Sequence, residues 1–308
     1  MRPRAVAGVV AAVVIIGCGP VESISSPSPS ATAPTSSSAS STPTREPSAS
    51  ASPTPSAATA SPAPTAAPTA SAASERAPYC AVADVPASNT VYADHAKTAL
   101  DWTYALPKTY VPPDLVSAIT GGPAPGQFAL PTLHASDVMA RRGDPAYTTL
   151  LKDDASASIR AVAYGDLIAL RAAAAAAGRA VIIISSYRSY DVQQLTFNYW
   201  VGVGGYEQAL RTSARPGHSE HQLGTVVDFG DGVNAPWEYA DWATTPIGGW
   251  LAEHAWEYGF VMSFQKGKSD VTCYDYEPWH YRWVGKDLAQ KLMQARVTLR
   301  EFQARSPS

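Results

Sequence analysis

The order of elements read from the sequence predicts an α+β fold, in which helices surround a small sheet and helix and strand do not alternate regularly. Three observations carry this reading. Helical and strand segments follow one another without an internal repeat. All 8 Trp, 15 Tyr and 6 Phe of the 308 residues lie from Tyr79 onward, and 12 of the 26 prolines fall in residues 1–75. Residues 76–308 therefore form one domain large enough to bury a substantial core, and the stretch before it has no aromatic side chains with which to build one. The 23 Lys and Arg are set against 26 Asp and Glu, a net charge of −3. A phosphate-tracking surface needs a basic excess, so nucleic acid is not expected as a partner, and no protein partner is inferred.

At the start of the chain, Arg2 and Arg4 precede an apolar run over residues 5–16. That run is too short for a bilayer span, which takes roughly 20 apolar residues, and it reads as a signal segment. Ile15-Ile16-Gly17-Cys18 resembles a bacterial lipobox. The resemblance implies a lipoprotein signal over residues 1–18, with Cys18 lipidated and holding the chain to the bacterial cell membrane. Two or more acyl chains give lasting attachment at about 0.8 kcal/mol per buried methylene. Residues 19–75 are almost entirely Ser, Pro, Thr and Ala. Such a composition cannot offset its ordering entropy and reads as a disordered tether that carries the domain into the cell wall, an extracytoplasmic location. With Cys18 acylated, Cys80 and Cys273 are left as a pair in an oxidising compartment, where a disulfide is expected.

Within the domain, residues 156–177 predict a helix: Ser156 or Ser158 can cap it, Ile159, Val162, Ala163, Leu167 and Leu170 recur near helical spacing, and Gly178 ends it. Residues 181–184, Val-Ile-Ile-Ile, predict a buried strand that delivers polar residues 185–190 to its end, where sites are often built. Residues 191–201 predict a second helix and residues 215–218 a turn. Residues 225–229 predict a strand, residues 247–258 a helix ended by Gly259, and residues 260–262 a further strand. Residues 276–284 predict an extended segment, and residues 286–304 one amphipathic closing helix.

The chemistry-bearing residues are His221, Asp228, Glu277 and His280. Two imidazoles and one carboxylate are a sound ligand set for zinc, and three protein ligands keep a fourth position for water. Asp228 sits among apolar strand residues, where an unpaired carboxylate is costly and a cation removes the penalty; backbone donors are the alternative. Glu277 and His280 would point to opposite faces of a regular strand. Pro278 makes a bulge or turn there the way for them to converge, with Glu277 placed to take a proton from water. No His-Glu-x-x-His segment is present. His95, His134 and His254 read as structural. His218, three residues before His221, is a rival ligand on these grounds alone.

Three motifs in order closely resemble the VanY-type zinc D-alanyl-D-alanine carboxypeptidases, members of the LAS-type metallopeptidases. They are Ser186-Tyr187-Arg188-Ser189-Tyr190 with Gln193, then residues 214–228, then Gly259-Phe260 and Glu277-Pro278-Trp279-His280-Tyr281-Arg282. Val226 stands where the family has alanine. The resemblance implies a small, mostly antiparallel sheet carrying the zinc, as in hedgehog and D,D-peptidase folds. It implies one Zn2+ on His221, Asp228 and His280, and Glu277 as catalytic base. Arg188 would stabilise the developing oxyanion or grip a substrate carboxylate, and Ser219 and Gln193 would bind that carboxylate. The implied substrate is a peptidoglycan stem peptide that loses its terminal D-alanine.

Two other readings share these residues. One is an L,D-carboxypeptidase or peptidoglycan endopeptidase with the same zinc site, its specificity set by pocket loops such as residues 235–246 and 265–272. The other is a non-catalytic tethered wall-binding module in which Trp237, Trp242 and Trp250 stack on sugars, although these read more readily as core. No Gly-x-Ser-x-Gly elbow supports a serine hydrolase. From the leader alone, Cys18→Ala is expected to move the protein from the membrane pellet to the supernatant of fractionated cells, and unchanged sedimentation with the membrane would refute lipid anchoring.

Overall fold

The structure is a computed structural model that describes residues 80–87, 98–125 and 133–305. Cys18, the tether and His95 lie outside these residues. Eight strands are present among them: β1 (Val85–Pro86), β2 (Tyr104–Ala105), β3 (Leu115–Ser117), β4 (Ser158–Arg160), β5 (Ile182–Ser185), β6 (Val226–Gly230), β7 (Phe260–Met262) and β8 (His280–Trp283). The central sheet has the order β5-β6-β8-β7, with every neighbouring pair antiparallel. Outside it, β1 pairs with β2 in parallel and β3 with β4 antiparallel. This is the α+β arrangement with a small antiparallel sheet.

Side chains alternate across a strand, and the sheet divides accordingly. Val227, Phe229, Tyr281 and Trp283 share one cluster with Leu167 and Leu170 of helix α1 (Ala161–Ala176). Leu251 of the helix Pro246–His254 joins the same cluster. The opposite face carries Val226 and Asp228 of β6 and His280 and Arg282 of β8, and the last three are polar groups that an apolar core cannot absorb. Trp242 is a core residue at 1% exposure, and Trp237 and Trp250 pack against the same cluster.

Two expected elements come out differently. The first helix begins at Ala161, not Ser156, and neither serine caps it. Residues 158–160 instead pair with Leu115–Ser117, and Ser158 N donates to Ser186 Oγ at 2.7 Å. Ile159 is fully buried by that pairing, so tertiary contact overrides helical spacing. The closing helix is two helices, Lys286–Ala295 and Leu299–Arg305. Arg296 adopts a left-handed conformation at φ 52°, and Thr298 starts a new N-terminus: Thr298 Oγ1 accepts from Glu301 N at 3.1 Å, and Glu301 Oε2 accepts from Thr298 N at 2.7 Å. This reciprocal capping box was legible as Thr-x-x-Glu. The helix at Pro246 runs on as a 3-10 turn, Ala255–Tyr258, and stops at Gly259. A Cβ there would lie 2.9 Å from the Gly285 carbonyl carbon.

Cys80 and Cys273 are joined by a disulfide, with Cα atoms 5.1 Å apart and a sequence separation of 193. The double substitution Cys80→Ser/Cys273→Ser is expected to lower unfolding free energy by about 2–4 kcal/mol, the usual cost of opening so long a loop. Urea unfolding of both forms under non-reducing conditions measures it, and coincident midpoints would contradict the expectation.

Candidate metal centre and pocket

The site is built where three elements meet. Asp228 and His280 are directly opposed in the β6–β8 ladder, which places their side chains together on one face. His221 lies in a 3-10 turn, Glu220–Leu223, started by Ser219, whose Oγ accepts from His221 N at 3.3 Å. The turn closes at Gly224, φ +70°, where a Cβ would lie 3.0 Å from both Leu115 and Pro112 side-chain carbons. The end of β5 then clasps the turn: Arg188 N donates to His221 O at 3.3 Å, and His221 Nδ1 lies 2.5 Å from Ser186 O.

One ligand atom each from His221, Asp228 and His280 fall within 4.8 Å of one another, and all three residues are buried. A carbonyl oxygen only accepts, so Ser186 O fixes the proton of His221 on Nδ1 and turns the Nε2 lone pair inward. Nε2 is 3.3 Å from Asp228 Oδ2. His280 Nε2 faces Glu220 Oε2 at 3.1 Å, which leaves Nδ1 toward Asp228 Oδ1, also at 3.1 Å. Asp228 Oδ1 is buried and has no hydrogen-bond partner among the described residues. Two inward imidazole nitrogens and an orphaned carboxylate oxygen fit a divalent cation.

The electrostatics agree. Burial works against charge on His280, but the carboxylates of Asp228 and Glu220 outweigh it and lift the imidazole to about 10. Burial likewise opposes ionisation of Asp228, yet His221 and His280 hold its carboxyl well below the usual range. Burial drives His221 down toward its neutral form, against the pull of Asp228. A positive charge is stabilised at this point, and a divalent ion can supply it in place of a proton. Glu220 is itself buried, and burial is overcome by Arg282 and His280, which hold its carboxyl down at about 2; Arg282 Nη1 donates to Glu220 Oε1 at 2.6 Å.

Glu277 joins through a turn at Pro278, closed by His280 N donating to Glu277 O at 3.2 Å. Its Oε2 lies 3.7 Å from His280 Nδ1. Burial pushes the Glu277 carboxyl up to about 7, where a group both takes and returns a proton near neutrality. Arg188 projects into the same pocket, with Nη1 donating to Gln193 Oε1 at 3.1 Å and Nε 3.1 Å from Asp137 Oδ1. Gln193 is a brace in this structure: besides accepting from Arg188, it donates through Nε2 to Ala214 O at 2.6 Å. Ser219 lines the pocket while serving as the cap of the His221 turn.

His218 is not at the metal set. Its Nδ1 lies 2.7 Å from Asp101 O and its Nε2 2.9 Å from Asp84 Oδ1, so both nitrogens are engaged in tying the turn at residues 215–218 to the start of the domain. His254 pairs with Glu257 at 2.9 Å on the surface. The pocket walls also differ from expectation. Trp237 contributes from residues 235–246, but residues 265–272 do not line the pocket, and Ser136, Asp137 and Met139 do. Sequence reasoning missed Glu220 and Asp137. Glu220 was adjacent to His221 inside a quoted motif and unused; Asp137 carries no local signal, since its meaning comes only from the approach of Arg188.

A family model described as VanY, D-alanyl-D-alanine carboxypeptidase, matches residues 156–286. YodJ of Bacillus subtilis (strain 168) is 38% identical over 125 residues, covering 41% of this chain and 46% of that protein. A D-alanyl-D-alanine carboxypeptidase of Enterococcus faecium is 32% identical over 121 residues, covering 39% of this chain and 35% of its own length. The chain thus spans less than half of each of these two relatives. Among solved structures, the LD-carboxypeptidase LdcB superposes with a TM-score of 0.50 at 29% identity, over 67% of this chain and 86% of that one. Loss of any one ligand should empty the site: His280→Ala and Asp228→Asn, checked for folding by circular dichroism, are expected to fall to background in bound metal after dialysis while His254→Ala retains it, as read by elemental mass spectrometry.

Proposed function

We propose that this chain, whose residues 156–286 match the VanY family model, is a zinc-dependent carboxypeptidase that removes the terminal D-alanine from peptidoglycan stem peptides. The single observation that supports this most is Glu277 Oε2 at 3.7 Å from His280 Nδ1, a carboxyl raised to about 7 beside a three-donor cation site. A purely structural zinc favours four protein ligands and has no use for such a neighbour. His221, Asp228 and His280 would hold the ion, and when bound it lowers the pKa of water toward ~7 and polarises a carbonyl.

The chain's own residues do the rest. Glu277 takes the proton of the attacking water on its carboxylate and returns it to the departing amine, a general base that becomes a general acid. Arg188 directs its guanidinium at the negative charge in the pocket, which a planar fork suits for either a substrate carboxylate or a developing oxyanion. Gln193 and Asp137 keep that fork from swinging. The aromatic walls, Trp237, Phe264, Tyr274 and Trp279, exclude water and so strengthen each of these interactions.

The likeness to an LD-carboxypeptidase structure favours a second reading, cleavage of the L,D bond of a tetrapeptide stem by the same groups. Mass spectrometry of defined stems separates them: loss of one alanine from a pentapeptide supports the D,D reading, and loss from a tetrapeptide alone supports the L,D one. Lipidation of Cys18 would place this activity at the outer face of the membrane, within reach of the wall. Glu277→Gln is expected to keep its metal and lose about 10²–10⁴-fold in kcat; turnover at the parent rate with metal bound would remove Glu277 from the mechanism.

A further inference from the structure

The pocket wall formed by Ser136, Asp137 and Met139 lies upstream of the family match at residues 156–286. Asp137 is only 4% exposed and is held from three sides. Its Oδ2 accepts from His134 N at 2.9 Å, its backbone oxygen accepts from Trp200 Nε1 at 3.1 Å, and its Oδ1 lies 3.1 Å from Arg188 Nε. Gln193 holds Nη1 of the same guanidinium. No described residue bonds Nη2, whose N–H groups are left for whatever enters the pocket. Ser136 lines the same pocket, and its Oγ is buried without a hydrogen-bond partner, an arrangement that native interiors avoid unless a ligand or water completes it.

We propose that Ser136 and Asp137 build the subsite that reads a free carboxylate at the end of the substrate. Asp137 is a positioning residue that aims Arg188, and the Ser136 hydroxyl is a second donor to the same anion. Orientation makes the subsite selective. Asp137 and Gln193 hold the guanidinium in one pose, so that an anion aligned with the free Nη2 edge and the hydroxyl meets both donors at once, whereas a guanidinium left to swing presents neither edge to it in a fixed place. A carboxamide presents an N–H group to one of these donors and leaves it unsatisfied, which is how a hydrogen-bonding site rejects a near-isostere.

This inference rests on the peptidase reading for the substrate class, and its test is separable from that reading. In the zinc-loaded Glu277→Gln protein, whose turnover is expected to be slowed about 10²–10⁴-fold, calorimetry compares a pentapeptide stem ending in free D-alanine with the same stem ending in D-alaninamide. The expected result is a preference for the acid that falls about tenfold or more, the worth of one hydrogen bond to a charged group, on Asp137→Ala and on Ser136→Ala. Asp137→Asn, which keeps the side-chain shape beside Arg188 and an acceptor for His134 N but loses the ion pair, is expected to recover part of it. A structural defect weakens both peptides alike and leaves the ratio where it was. An unchanged ratio in both alanine variants, or no acid preference in the parent, overturns the subsite. Absence of turnover in the wild type with the preference intact overturns the peptidase reading and leaves the subsite standing.

Discussion

One imidazole held between two buried carboxylates is the constraint on which the rest of the site depends. His280 faces Asp228 through one ring nitrogen and Glu220 through the other, each at 3.1 Å, and all three are buried. Buried charge of this kind is tolerated only when it is matched and fully hydrogen-bonded. Arg282 completes the match for Glu220, and a cation held with His221 and His280 would complete it for Asp228. The antiparallel register of β6 against β8 sets the spacing, and a shift by one residue would turn Asp228 into the core and Val227 into the pocket.

The same arrangement binds distant chain segments to the site. Arg282, two residues beyond His280 on the same face of β8, also donates through Nη2 to Thr98 O at 2.7 Å. Gln303, in the last helix, donates to that same oxygen at 3.1 Å, and Arg300 pairs with Asp101 at 2.5 Å. Asp101 in turn receives His218 at its carbonyl. Both ends of the domain therefore close over the polar face of the sheet, and the histidine that competed with His221 on paper is spent in that closure.

Much of this was legible in the sequence because it depends on local pattern. The β-branched run at residues 181–184 and the Val-Val-Asp-Phe segment signal strands, and the glycines at 178, 224 and 259 mark where helices or turns stop. His221, Asp228, Glu277 and His280 were named as one set, and the structure brings them together. What escaped was decided by pairing between segments far apart. Residues 158–160 carry a helical spacing but are claimed by Leu115–Ser117. Gln193 was named for the substrate but braces Arg188 and Ala214 O, because a side chain's partner depends on what packs opposite it. Asp137 acquires its importance 51 residues away from Arg188, and no periodicity encodes that approach. The break at Arg296 is a different case, since the capping box at Thr298 and Glu301 was readable and its signal stronger than the amphipathic pattern that ran through it.

The covalent link between Cys80 and Cys273 also sets the route of mechanical load. Tension applied between residue 80 and the carboxyl terminus passes directly to residue 273 and bypasses everything enclosed between them. His221, Asp228 and Arg188 are thus sheltered from stretching, whereas the short span holding Glu277 and His280 lies in the line of force. A pull strong enough to disturb this domain would therefore reach the turn at Pro278 before it reached the strand that bears Asp228.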